Sequence, residues 1–324
     1  MGLPVDETLA DFSDMAYKTG FGLYVLALIA AVIYYAGYQV AKTSQRELVA
    51  AGGSGLTEST SITDTGDEDT SSARGTRWAR LTLLFVGLGL VFHAASLVLR
   101  ALAIGRFPWG NMYEFISVTC ALAVAAALAL LRKPALQVAW PYVLVPVLAL
   151  LFFGGTKLYA EAAPVVPALQ SFWFPIHVSI ISLGSGIFLV SGVASVLYLL
   201  RVWQPQGTER GRAAAIVRPL PHADTLDRLS YRSAVIAFPI FSMGIILGAV
   251  WAESAWGRFW GWDPKETVSF ISWVLYAVFL HARATSGWGP KKAAWFNIAG
   301  FLVLIFNLFF INIVISGLHS YAGV

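Results

Sequence analysis

The chain has 324 residues, 57% of them hydrophobic and only 12% charged, with a formal net charge of +4. Soluble domains carry roughly 25% charged residues, and one soluble core of this size could not hide so much apolar surface. The balance excludes a soluble enzyme, a disulfide-stapled secreted scaffold and a nucleic-acid-binding domain. A single Cys120 excludes an internal disulfide framework or a CxxC motif and is expected to be a small packing residue.

A membrane-crossing helix needs about 20 apolar residues for a ~30 Å hydrocarbon layer. In chain order the stretches that qualify are Phe21–Ala41, Leu81–Ile104, Tyr113–Leu131, Leu136–Phe153, Trp173–Leu200, Ala234–Trp251, Val268–Ala282 with its flanks, and Ala294–Ile315. The runs are continuous rather than alternating, which argues against β-barrel strands. The expected fold class is an all-α polytopic membrane protein of about eight transmembrane helices.

Residues 1–42 read as an N-terminal anchor helix. Their acidic start (Asp6, Glu7, Asp11, Asp14) lacks the basic region of a cleaved signal peptide. Residues 43–77 read as a disordered cytoplasmic linker. From Ala51 to Gly75, 20 of 25 residues are Gly, Ser, Thr, Asp or Glu, too polar to offset ordering entropy by burial. Residues 78–324 are left as a seven-helix bundle.

Lys and Arg collect on cytoplasmic loops. The segments Ala41–Arg80, Arg132–Lys133, Arg201–Arg232 and Ala282–Lys292 hold sixteen of the 22 basic residues. This side is expected to face the cytoplasm, with both termini and the loop between helices 6 and 7 outside.

That loop, residues 251–267, carries Trp251, Trp256, Trp260 and Trp262 with Arg258, Asp263 and Lys265. Several large rings in a short loop can stack on a flat apolar ligand, and Arg258 and Lys265 could meet its carboxylates. Two plainer readings stand beside this one. Trp is enriched at membrane interfaces in any case, and Asp263-Pro264-Lys265-Glu266 is helix-start chemistry, with Asp263 as N-cap and Glu266 as its capping-box partner.

Of the five histidines, His177 opens the fifth span and His319 follows the last, both on the side of the tryptophan loop. Two neutral imidazoles beside an aromatic platform suit axial ligation of haem iron. Zinc would want further ligands nearby, with only Glu253 and Asp263 evident. His281, about 21 Å along its helix from Thr267 at ~1.5 Å per residue, is expected in the inner third of the bilayer. His93 is expected at a different depth, as a helix–helix hydrogen-bonding group or a further ligand.

From about His93 to the C-terminus the chain resembles the CcsA/ResC family, haem-handling membrane proteins of System II cytochrome c biogenesis. The likeness lies in Trp256-Gly-Arg-Phe-Trp-Gly-Trp-Asp-Pro-Lys-Glu-Thr267, similar to the family's WWD motif, and in Phe172-Trp-Phe-Pro-Ile-His-Val178 and Gly317-Leu-His-Ser-Tyr-Ala322. It continues in Leu226–Arg232 and Gly105–Glu114. The chain departs from the pattern at Phe309-Phe310-Ile311, where a Gly beside a small residue is expected before Asn312, so the last span should pack differently there.

The resemblance implies that His177 and His319 are the two external haem ligands over the WWD loop and that His281 is the intramembrane one. It implies haem b as transient ligand, a CcsB/ResB-like membrane partner, the CxxCH segment of an apocytochrome c as substrate, and a location in the plasma (inner) membrane. A thioredoxin-like thiol reductant is a further expected partner. Besides cytochrome c synthesis, a haem chaperone or exporter without ligation activity, a transmembrane redox haem protein and a transporter with an aromatic belt are the other readings of these residues.

Overall fold

The computed structural model describes the backbone of residues 5–52 and 65–319 and the side chains of residues 5–38 and 75–319. Every regular element among them is helical. The long helices are α1 (Glu7–Gly52), α2 (Thr65–Ile104), α3 (Met112–Leu130), α4 (Trp140–Lys157), α5 (Trp173–Trp203), α6 (Ala223–Trp256), α7 (Pro264–Ala284) and α8 (Pro290–Phe306). The last of these widens into a π-helical turn, Asn307–Ile311. Among the described residues eight helices are long and apolar enough to cross a membrane, which makes the chain a multi-pass membrane protein.

Two boundaries differ from expectation. Helix takes in residues 43–52 and 65–77 of the stretch expected to be disordered, while residues 53–64 lie outside the described residues. Gln45–Ala51 consists mostly of good helix formers, and Asp, Ser and Thr cost only tenths of a kcal/mol each once a helix has been nucleated. The helix α6 begins at Ala223, well before Ala234. The charges of Leu226–Arg232 suggested a loop, yet Leu226, Leu229, Ser230 and Ser233 are buried at helical spacing while Arg228 and Arg232 face outward.

Close helix contacts rest on small residues, as is usual between membrane helices. Helices α1 and α2 form a hairpin crossing at Gly20 and Gly89, where any Cβ on Gly89 would lie 2.7 Å from the Tyr24 ring. Helix α5 is central and packs on α6, α3 and α8. Its polar anchor is Asn297 of α8, whose Nδ2 shares its two protons among three oxygens within reach, Ser191 Oγ (2.8 Å), Ser195 Oγ (2.7 Å) and, on α6, Ser230 Oγ (2.8 Å). Cys120 is fully buried, in keeping with a packing role.

Candidate functional site

The site is built where α5, α6 and α7 end or begin at the tryptophan-loop end of the bundle. His177 lies in the opening turns of α5, and its Nδ1 donates to the Gly244 carbonyl of α6 at 2.8 Å. A carbonyl can only accept, so the proton sits on Nδ1 and Nε2 keeps its lone pair. One turn on, Gly248 makes room for the ring: a Cβ there would lie 2.7 Å from it. Trp251, one further turn along α6, stacks on the imidazole with centroids 5.8 Å apart and planes 11° apart. The indole is buried and held by its own Nε1–H bond to the Ala168 carbonyl, at 3.0 Å.

His319 arrives from beyond α8. Its Nδ1 bonds Asp263 Oδ2 at 2.8 Å, again leaving Nε2 as the free nitrogen, and the Leu318 amide donates to Asp263 Oδ1 at 2.8 Å. The same carboxylate is the N-cap of α7, in a complete capping box with Glu266. A helix start thus doubles as the mooring of the C-terminal segment. Burial would raise the Asp263 pKa, but the hydrogen bonds from His319 and Leu318 outweigh it and bring the group below its ordinary value. Burial, with help from Lys265, lowers the His319 pKa despite the opposing pull of Asp263, so the imidazole is held neutral. The ring meets Trp251 and Trp256 edge-on, at 5.5 Å and 4.9 Å.

Both imidazoles line one cavity of about 590 Å³, with Trp251, Trp260 and Lys265. That volume lies within the usual ~300–1,000 Å³ of cofactor pockets. Among the described residues no three His, Cys, Asp or Glu side chains converge as a metal-ion site. Two imidazoles opening onto an apolar, aromatic-walled cavity fit a planar metal complex instead.

The other candidate residues fall into three groups. Asp263, Trp256, Trp262 and Arg258 lie outside the cavity lining. Asp263 acts on the site through His319. Arg258 pairs with Glu266 at 3.2 Å and lies over Trp256, so it braces the loop rather than standing ready for a ligand's acids. Trp262 is exposed and held at φ +57°, because Glu266 Oε2 accepts from the Gly261 and Asp263 amides on either side of it. Lys265 faces the cavity, with Nζ bonded to Asn312 Oδ1.

The two other candidate histidines stand apart from the cavity. His93 is buried between Ser117 Oγ (2.9 Å from Nε2) and Tyr24 OH (3.4 Å from Nδ1), where it joins α1, α2 and α3. His281 is exposed in the last turn of α7, with Thr285 Oγ1 3.4 Å from its Nε2.

Sequence reasoning missed several lining residues, among them Trp109, Phe115, Phe174, Asn307 and Asn312. Trp109 sits in a loop fixed by Glu114, which accepts from Arg100 Nε at 2.8 Å, Arg106 Nη1 at 2.9 Å and the Gly110 amide at 2.7 Å. Next to that loop Asn111 caps α3, its side chain accepting from the Glu114 amide.

Residues 88–319 match the family described as cytochrome C assembly protein. The chain is 36% identical over 290 residues to the cytochrome c biogenesis protein CcsA of Prochlorococcus marinus strain NATL2A, covering 79% of this chain and 86% of that one. It is 33% identical over 244 residues to the CcsA of Chlamydomonas reinhardtii, covering 74% and 67%. Among solved structures it is similar to cytochrome c heme lyase CcmF, with a TM-score of 0.61 at 18% identity. That likeness covers 93% of this chain but 46% of the longer neighbour, and at such identity it speaks to the fold alone. The fold, the family match and the CcsA relatives together make this chain a member of the cytochrome c assembly protein family.

Proposed function

We propose that the chain is the haem-handling subunit of a membrane cytochrome c synthase. It holds haem b between His177 and His319 and presents it for thioether attachment to the CxxCH segment of an apocytochrome c. The observation that carries this reading is the matched pair of imidazoles. Each is anchored through Nδ1, and no described residue bonds either Nε2, although both open onto one cavity against Trp251. Orientation of a ligating imidazole by a carboxylate or carbonyl on its second nitrogen is the usual support for a metal bond.

Haem is the cargo and the apocytochrome supplies the thiols. Adding S–H across a vinyl C=C puts sulfur on one carbon and hydrogen on the other, so the addition itself needs no oxidant. It does need reduced thiols, hence a thioredoxin-like reductant. What this chain contributes is position: two nitrogens fix the iron, Trp251 and Trp260 border the plane, and Lys265 offers a cation to a propionate. The distribution of Lys and Arg supports an extracytoplasmic site on the plasma (inner) membrane with both termini on that side. His281, exposed at the far end of α7, supports a second haem position completed by a CcsB/ResB-like partner.

The test is the absorption spectrum of the purified full-length protein, alone and co-expressed with the partner and a CxxCH substrate. The expected result is a bis-imidazole Soret spectrum that His177→Ala or His319→Ala weakens and added imidazole restores, with covalent haem on the substrate in denaturing gels. No Soret band in the wild type would sink the proposal. Haem binding without covalent transfer would leave the chaperone reading in its place.

A further inference from the structure

The haem-handling reading makes no use of Asn307. Its side chain is 6% exposed and lines the cavity. Nδ2 donates to Ser269 Oγ of α7 at 2.8 Å, while Oδ1 is buried with no partner among the described residues. Buried polar atoms are rarely left unpaired without a reason. The Ser269 hydroxyl can donate as well as accept, and a half-turn of the amide exchanges its two ends. Asn307 can therefore offer the cavity either an acceptor or an NH2 donor and keep its bond to Ser269 in both cases.

Asn307 belongs to a polar strip in a largely apolar cavity. Lys265 stands one helical turn from Ser269 on α7, and its ammonium meets a neutral amide oxygen, Asn312 Oδ1, rather than a carboxylate. Asn312 Nδ2 is tied back to the Leu308 carbonyl at 2.6 Å. Lys265, Ser269, Asn307 and Asn312 all line the same cavity. The π-helical turn Asn307–Ile311 brings the two asparagines together. Five residues apart on an α-helix they would diverge by about 140°, whereas i→i+5 bonding sets them roughly one turn apart.

One cation, Lys265, and one amide, Asn307, that can turn its NH2 into the cavity while Ser269 donates to its oxygen make a receptor for an acid on an otherwise apolar molecule, with Asn312 holding the lysine in place. We propose that Lys265, Asn312, Asn307 and Ser269 form a subsite for the carboxylates of the flat ligand, and that it sets the ligand's rotation within its own plane. The edge opposite the acids is thereby turned away from the α7–α8 wall. This rests on the haem reading above, which gives a propionate the Lys265 cation but no second group that would fix that rotation.

The experiment titrates full-length protein in detergent with haem b and with its dimethyl ester, which keeps the ring, iron and vinyl groups but blocks both acids. Wild type is expected to bind the acid form at least tenfold more tightly than the ester. Lys265→Met and Asn307→Leu should lose most of that preference while binding the ester as wild type does, with the bis-imidazole spectrum intact. Asn307→Asp should weaken the acid form alone, and Lys265→Arg should retain the preference. The acid-to-ester ratio is read within each variant, so a partly misfolded sample does not imitate the effect. Equal binding of both forms by wild type, or variants that weaken both alike, overturns the subsite while leaving the haem reading intact. No Soret band with either form overturns both.

Discussion

Asp263 joins two functions that a substitution can separate. It caps α7 through the Lys265 amide at 3.2 Å, and it holds the C-terminal segment through the Leu318 amide and His319 Nδ1, each at 2.8 Å. Serine is as good an N-cap as aspartate, but its hydroxyl is too short to span to His319. Asp263→Ser should therefore change unfolding stability by less than about 1 kcal/mol at the cap. Loss of a group that orients a metal-bound histidine typically costs ~10–100-fold in affinity, or about 1.4–2.8 kcal/mol. The assay is a Soret titration with haem b beside thermal unfolding of the same preparations, with His319→Ala as the reference for complete loss. A variant that keeps wild-type haem affinity would refute the reasoning and reduce Asp263 to a helix cap. So would an affinity loss that only tracks the loss of stability.

Other outcomes follow from the same geometry. Gly248→Ala places a methyl 2.7 Å from the His177 ring. It should weaken haem binding although Ala favours the helix by roughly 1 kcal/mol, so unchanged affinity would show that the ring can shift at no cost. Asp263 and His319 both have depressed pKa values in the folded chain, so what they contribute is present above their ordinary values of 3.8 and 6.5 and is lost as pH falls through the lowered ones. Acid release of haem, followed by absorbance, should thus have its midpoint below 6.5; a midpoint at or above that value contradicts a neutral, buried His319. Asn297→Ala removes the donor shared by Ser191, Ser195 and Ser230 and should destabilise the bundle by roughly 1–2 kcal/mol without altering the haem spectrum. His281→Ala should leave the His177–His319 spectrum unchanged in the isolated chain, because His281 lies outside that cavity.

Much of the architecture was legible because a bilayer demands long apolar runs, and lengths of that kind survive any detail of packing. The cap at Asp263 was legible too, since its chemistry is confined to four consecutive residues. Its second use was not, because the Leu318 and His319 donors come from the far end of the chain. Arg258 looked available to a ligand for the same reason: its partner Glu266 is close in sequence, but a pairing across a loop depends on how the loop folds. The early start of α6 was masked by charge. Arg228 and Arg232 suggest a loop when counted, and an exposed helix face when their spacing is compared with that of Leu226 and Leu229. His93 gave no local sign of its partners, Tyr24 and Ser117, which lie on two other helices.

The wide turn at Asn307–Ile311 holds one residue more than an α-helical turn would. Deleting one residue there would let α8 run on with its backbone bonds intact. The chain beyond it would then swing by about 100° and draw back about 1.5 Å, and His319 would part from Asp263 without itself being altered. The place of that imidazole is therefore recorded as a length of chain and not only as an identity. Side-chain identity between the two asparagines matters less to that imidazole than the count from Asn307 to Asn312. Insertions and deletions in this short stretch, rather than substitutions, are the changes the site would not survive.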